Sequence, residues 1–291
     1  MNTVVPSPGT VSRILWHFTG GPIWNETEHR QGSSPKPAAQ AYANLKSIIR
    51  DRELRLGGYK EVIRIRLAER RRYNSTTKKR EVLRNVAEEL TSAPVCCLAD
   101  VPIIHLSYLA QRYGKFAIGF HREAVVRHGF NPVFYALDDA SSILSIYRGL
   151  GQIDAMDGEV FKVCGGLVRD AADEFMASNG LNEGPDLSFI NVISEQADYL
   201  DETLQEARVS FGNFLGLVKT FSLDEFGTIY CEREWRSLEA FEFTYDDVAM
   251  IVLPRRVGKN EYFQGFCKKA SAVLRLPSTI PVVPWEDLVE H

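Results

Sequence analysis

An α+β fold, with mixed sheets of short strands forming a cleft and with a helical insertion, is what this chain of 291 residues predicts. Three observations carry the prediction. Short apolar runs bounded by glycine or proline alternate with segments of helical periodicity up to about residue 137. From about 141 to 217 the spacing is helical alone, and from Gly227 onwards strand-like runs return. The chain reads as one domain, 1–291, with the insertion at about 141–217.

The elements follow in order. VSRILWHFT, between Pro8–Gly9 and Gly20–Gly21–Pro22, predicts a short first strand, and 22–38 a loop. Ala41, Leu45, Ile48 and Ile49 recur at helical spacing, and the pattern stops at Gly57 and Gly58. In 60–80 a brief alternation gives way to the basic stretch ERRRYNSTTKKR, an exposed excursion, and Glu81–Leu90 reads as helix. PVCCLADVPI is a buried strand ended by Asp100 and Pro102, and IIHLSYLAQRYG a helix stopped by Gly114. Phe116–Phe120 reads as a strand, followed by a short helix closed by Gly129, and NPVFYAL as another strand. The insertion carries a helix start near Asp138 and Asp139, a loop at GLNEGPD and an acidic helix around ISEQADYLDETLQEA. The last quarter offers strands at TIYCEREWRSL, FEFTYDDVAMIVLP and IPVVPW, with a helix from Asn260 to about Leu274.

Composition narrows the function classes. An apolar share of 45%, a charged share of 25% and a net charge of -4 are those of an ordinary globular protein. They supply no global electrostatic pull towards nucleic acid or membrane. No apolar run reaches the roughly 20 residues that span a bilayer, and the N-terminus lacks a leader pattern, so a cytoplasmic protein without membrane contact is expected. Five cysteines without CxxC spacing predict reduced thiols, and no histidine or cysteine spacing predicts a metal. Neither a GxGxxG nor a phosphate-binding glycine–lysine loop is present.

Four stretches could carry chemistry: His17 in LWHFTGG, Asp100 in CCLADVPI, Tyr113–Phe120 in YGKFAIGF, and Glu232 with Glu234 in YCEREWR. Polar residues set on short strands are what a cleft between sheets requires. On a strand, Glu232 and Glu234 would share one face, with Arg233 opposite. They then either form a carboxylate pair at a site or pair with Arg236 on an exposed face. His17 either caps a strand end or faces a ligand, and Gly20 and Gly21 allow close backbone approach. His105 is expected to pack, and Cys97 to be a buried thiol. Arg70, Arg71, Arg72, Lys78, Lys79 and Arg80, with Tyr73 among them, could contact nucleic acid, though a solvated loop is favoured.

In this order, LWHFTGG, the NLKSII helix, CCLADVPI with His105, YGKFAIGF and NPVFY resemble the AbiGi-type abortive-infection family of bacterial phage-resistance proteins. The likeness covers roughly the first 135 residues, and YCEREWR extends it. Leu98 and Ala99 stand where that family's pattern has an aromatic and a threonine. The resemblance implies an antitoxin, or its toxin counterpart, with a partner protein. The first-strand His17–Thr19–Gly20 and the late Glu-x-Glu also look like the layout of ADP-ribosyltransferases, which bind NAD between two small sheets. That second likeness implies an NAD-dependent ADP-ribosyltransferase or an NAD glycohydrolase. His17 would contact a ribose beside Thr19, Gly20 would admit the cofactor, and Tyr113 would stack on nicotinamide. Glu234 would stabilise the oxocarbenium-like transition state, and Glu232 would orient the acceptor.

Overall fold

The computed structural model describes residues 12–25, 27, 30–32, 34–57, 59–74, 76–153, 155–156, 166, 187–270 and 272–289. The expected GLNEGPD loop lies outside the described residues. The fold is α+β. Chain contacts divide it into two compact units: residues 1–64, 89–137 and 215–291 form one, and 65–88 with 138–214 the other.

The first unit is built on a seven-stranded mixed sheet. Its order is Val282–Pro284, Val248–Leu253, Ala117–His121, Ile14–Phe18, Cys96–Ala99, Glu234–Ser237 and Asn131–Pro132. Val248–Leu253 pairs with Val282–Pro284 in parallel, and the remaining neighbours run antiparallel. LWHFTGG therefore supplies the central strand.

Alternation along that strand sends its side chains to opposite faces. Leu15 joins Leu98, Ile118 and Phe120 against Ala41, Leu45 and Ile49 of helix Ala38–Asp51. Trp16 projects to the other face, with Ala117, Val252, Leu106 and Trp285, and its Nε1–H donates to Val101 O at 3.1 Å. Helix Ala38–Asp51 ends before the expected Gly57–Gly58, because Arg52 takes a left-handed conformation (φ 56°) and Glu53–Leu54 pairs with Phe241–Glu242. The Phe116–Phe120 strand and the short helix after it form as Ala117–His121 and Arg122–Arg127. The late helix is shorter than expected, Phe263–Ala270.

Residues 60–94 correct the sequence reading most. Lys60–Asn74 and Lys79–Pro94 are two long strands paired as a two-stranded ribbon, so Glu81–Leu90 is strand rather than helix. Strand pairing satisfies the backbone of both segments at once, and this outweighs a weak local helix preference. Lys78 in the turn and Asn85 within the second strand take left-handed backbone (φ 54° and 52°) without glycine. The ribbon's inner ends, to Arg64 and from Glu89, belong to the first unit and the rest to the second.

In the second unit, Arg66 Nη2 donates to Asp138 Oδ2 at 3.0 Å, and its backbone N–H to Asp138 O at 2.8 Å. A helical stretch begins at 141, just beyond Asp138 and Asp139. Helix Leu187–Gly216 runs through the acidic segment.

Candidate functional site

The cleft lies where two central strands part. Ile14–Phe18 and Cys96–Ala99 share one registered pair, Trp16 with Ala99. Beyond it a pocket of about 500 Å³ opens, a size ordinary for a small-molecule site. His17, Thr19, Tyr113, Glu232 and Glu234 all line it. His17 and Glu234 lie on strands separated by Cys96–Ala99, and in register Glu234 shares a face with Ala99 and Trp16, opposite to His17. Only the gap between the parting strands lets both reach one cavity.

His17 enters that gap. Its Nδ1 lies 3.2 Å from Cys97 O, and since a carbonyl only accepts, Nδ1 carries the proton and Nε2 is left as an acceptor. Burial lowers the imidazole's pKa more than this bond raises it, and Lys36 lowers it further, so the neutral ring is favoured. Thr19 is buried and ties the strand end to the helix: its Oγ1–H donates to Ala41 O at 2.8 Å, and its carbonyl accepts from Asn44 Nδ2 at 3.2 Å.

Gly20 has a different role from the one expected. It is absent from the pocket lining, where Gly21 appears instead. A Cβ at Gly20 would sit 2.7 Å from the Tyr113 carbonyl oxygen and 3.2 Å from the Ala41 Cβ. The glycine thus admits the backbone of helix Leu106–Tyr113. Gly114, at φ 75°, closes that helix and leaves Tyr113 at the wall.

The carboxylate pair also departs from expectation. Glu232 ends a tight turn, Tyr230–Glu232; Arg233 is left-handed (φ 45°); only Glu234 starts the strand. The Asp100 N–H donates to Arg233 O at 3.0 Å and the Asp100 carboxylate pairs with Arg122 at 2.7 Å, so Asp100 braces this reversal. The two glutamates therefore do not share a strand face.

They converge instead on Lys219, which the sequence reading missed. Its Nζ lies 2.7 Å from Glu232 Oε2 and 2.9 Å from Glu234 Oε2. Strand Val218–Phe221 places it there, paired in parallel with Phe134–Leu137. Arg236 is fully buried rather than on an exposed face, and donates to Glu234 at 2.7 Å and to Glu61. Glu232 further accepts from Arg112 and from the Tyr113 hydroxyl, both at 3.1 Å. The Glu234 N–H donates to Tyr135 Oη at 2.7 Å.

Three carboxylates, Glu61, Glu232 and Glu234, thus meet three cations, Lys219, Arg236 and Arg112. Burial raises the Glu234 carboxyl, but Arg236 and Lys219 outweigh it and hold the pKa far below the usual carboxylate range. Lys219 mirrors it: burial lowers the ammonium, while Glu234, Glu232 and Glu61 lift it well above its ordinary value. Burial drives the Tyr113 hydroxyl upward, and Glu232 adds to the shift. Tyr113 is therefore a neutral donor.

Of the remaining candidates, Cys97 reaches the pocket and His105 does not. His105 is exposed at the end of the Ile103–His105 turn rather than packed. Cys97 lines the pocket as a thiol, burial and Glu234 raising its pKa well above the usual value. Arg70, Arg71, Arg72, Lys78, Lys79 and Arg80 sit on the ribbon and its turn, and none of those with described side chains lines the cavity. Arg70 pairs with Glu88, while Arg71, Lys78, Lys79 and Arg80 are exposed. Among the described residues no cluster of histidine, cysteine and carboxylate side chains could hold a metal, and no helix is long and apolar enough to cross a membrane.

A family model described as "Putative abortive phage resistance protein AbiGi, antitoxin" matches residues 60–271. The matched region contains CCLADVPI, YGKFAIGF, Lys219 and YCEREWR, and leaves LWHFTGG outside. No curated protein and no solved structure matches the chain.

Proposed function

The chain belongs to the AbiGi family of abortive phage resistance proteins, and from that premise we propose that it serves phage defence by binding NAD in its cleft and acting on the nicotinamide–ribose bond. One observation carries this reading: His17, Thr19, Tyr113, Glu232 and Glu234, drawn from distant parts of the chain, line a single pocket. In the proposed complex the neutral His17 accepts from a ribose hydroxyl through Nε2, and Tyr113 packs against nicotinamide. Glu234, kept ionised by its cations, faces the sugar as positive charge develops on it. The same cations offset its field, so turnover is expected to be slow.

The test is to incubate purified protein with NAD and follow nicotinamide release chromatographically. Release that falls about 100-fold or more in Glu234→Gln is expected. No release by wild type, or equal release by the variant, rejects an enzymatic role.

The charge balance around Glu234 favours a second reading, in which the chain is a non-catalytic antitoxin that neutralises a partner toxin, as the family's description suggests. Co-expression with the neighbouring gene's product then yields a complex indifferent to Glu234→Gln. Failure to recover any complex rejects it.

A further inference from the structure

The charged side chains of the cavity lining are unequally matched. Glu232 and Glu234 are matched by Lys219, Arg236 and Arg112. Asp51 is held by Arg50 and Arg55, and Glu53 by Arg55. What remains is Lys36, half-buried in the lining with no carboxylate partner among the described residues.

Its place is fixed by backbone. The Lys36 N–H donates to Gly20 O at 2.9 Å, which pins the residue beside the strand end that carries His17. Burial depresses the Lys36 ammonium, no carboxylate among the described residues offsets this, and Lys36 in turn depresses His17. A cation half-withdrawn from water and left unmatched is costly, and an incoming anion removes that cost.

We infer that the Lys36 side of the cleft is an anion subsite that takes the phosphate groups of a nucleotide ligand and orients the ligand with its sugar towards His17 and the glutamates. For NAD this assignment rests on the reading above, with the diphosphate at Lys36. With an anion at Lys36, the neutral imidazole of His17 offers its Nε2 to a sugar hydroxyl of the same ligand.

The experiment is calorimetric titration of wild type, Lys36→Met and Lys36→Arg with NAD, nicotinamide riboside and inorganic pyrophosphate. The site predicts NAD affinity lower by about ten-fold or more in Lys36→Met. It also predicts near-wild-type affinity in Lys36→Arg and unchanged binding of the phosphate-free riboside. Equal NAD binding by wild type and Lys36→Met overturns it, as does an equal loss for NAD and the riboside, which would mean that Lys36 only shapes the pocket. If wild type binds pyrophosphate through Lys36 but not NAD, the anion subsite stands and the NAD reading falls. If it binds neither, both fall. Unchanged thermal melting of both variants confirms that binding differences are not folding differences.

Discussion

Replacing Lys219 by methionine tests the charge cluster most directly. The substitution keeps the length and apolar stem of the side chain and removes only the ammonium, so packing is largely conserved. Glu232 retains Arg112 and Tyr113, and Glu234 retains Arg236, yet three buried carboxylates then face two cations, one of them half-exposed. Breaking one partner out of a buried ionic set costs about 3–5 kcal/mol, and the surviving contacts place this case near the lower end, about 3 kcal/mol. The assay is urea unfolding followed by the fluorescence of the four tryptophans, Trp16, Trp24, Trp235 and Trp285, all in the same compact unit. The double variant Lys219→Met/Glu232→Gln restores the balance. It is expected to lose less than the sum of the two single losses, with a coupling of about 1–3 kcal/mol. A single variant within about 0.5 kcal/mol of wild type, or strictly additive losses, would refute a shared charge-balanced cluster.

Three further outcomes follow from the same geometry. Gly20→Ala, whose new Cβ meets backbone rather than a movable side chain, should cost about 1–3 kcal/mol, while Gly227→Ala, with open space around it and helical backbone, should be neutral or slightly stabilising; equal effects in thermal melts would dismiss the close approach of Tyr113. The pKa of His17 is depressed below its ordinary 6.5, so its contribution to stability is complete above about pH 6.5 and is lost as pH falls towards the lowered value. Glu234 acts likewise below its ordinary 4.5, whereas Lys219, raised above 10.5, contributes below that pH and loses its contribution as pH rises through the lifted value. Urea midpoints measured from pH 4 to 8 should fall on the acid side, and an identical fall between pH 6.5 and 5 in His17→Asn would remove the histidine from this account. Arg236→Leu, which strips Glu61 and Glu234 of a fully buried partner, should lose about 3–5 kcal/mol; a loss under about 1 kcal/mol would show that Lys219 and Arg112 balance the cluster without it.

The central strand, the Cys96–Ala99 strand and helix Ala38–Asp51 were legible because local pattern and tertiary role agree there. Apolar spacing of four along Ala41, Leu45 and Ile49 is the buried stripe itself. Glu81–Leu90 was misread because its leucines and glutamates favour helix locally, while its partner strand lies upstream of the turn. The pocket's membership could be guessed from polar residues at strand ends. The relation of Glu232 to Glu234 could not, since it depends on one arginine adopting a left-handed backbone. Lys219 did leave a trace: a lone lysine inside the apolar run LGLVKTF, on a strand whose four residues are all buried, requires internal partners. Two glutamates with a single arginine offered as partner were the other half of that signal.

The imidazole of His17 stands where a strand would otherwise donate to Cys97 O, so it works as a stitch across a seam in the sheet. A side chain that closes the seam is judged first by whether it can supply a hydrogen at that spot. Truncating it to alanine would open the sheet as well as empty the cavity wall, and any loss of binding would then be ambiguous. Asparagine, which can offer an amide hydrogen at similar reach, separates the two duties: it can keep the seam closed while withdrawing the ring from the ligand.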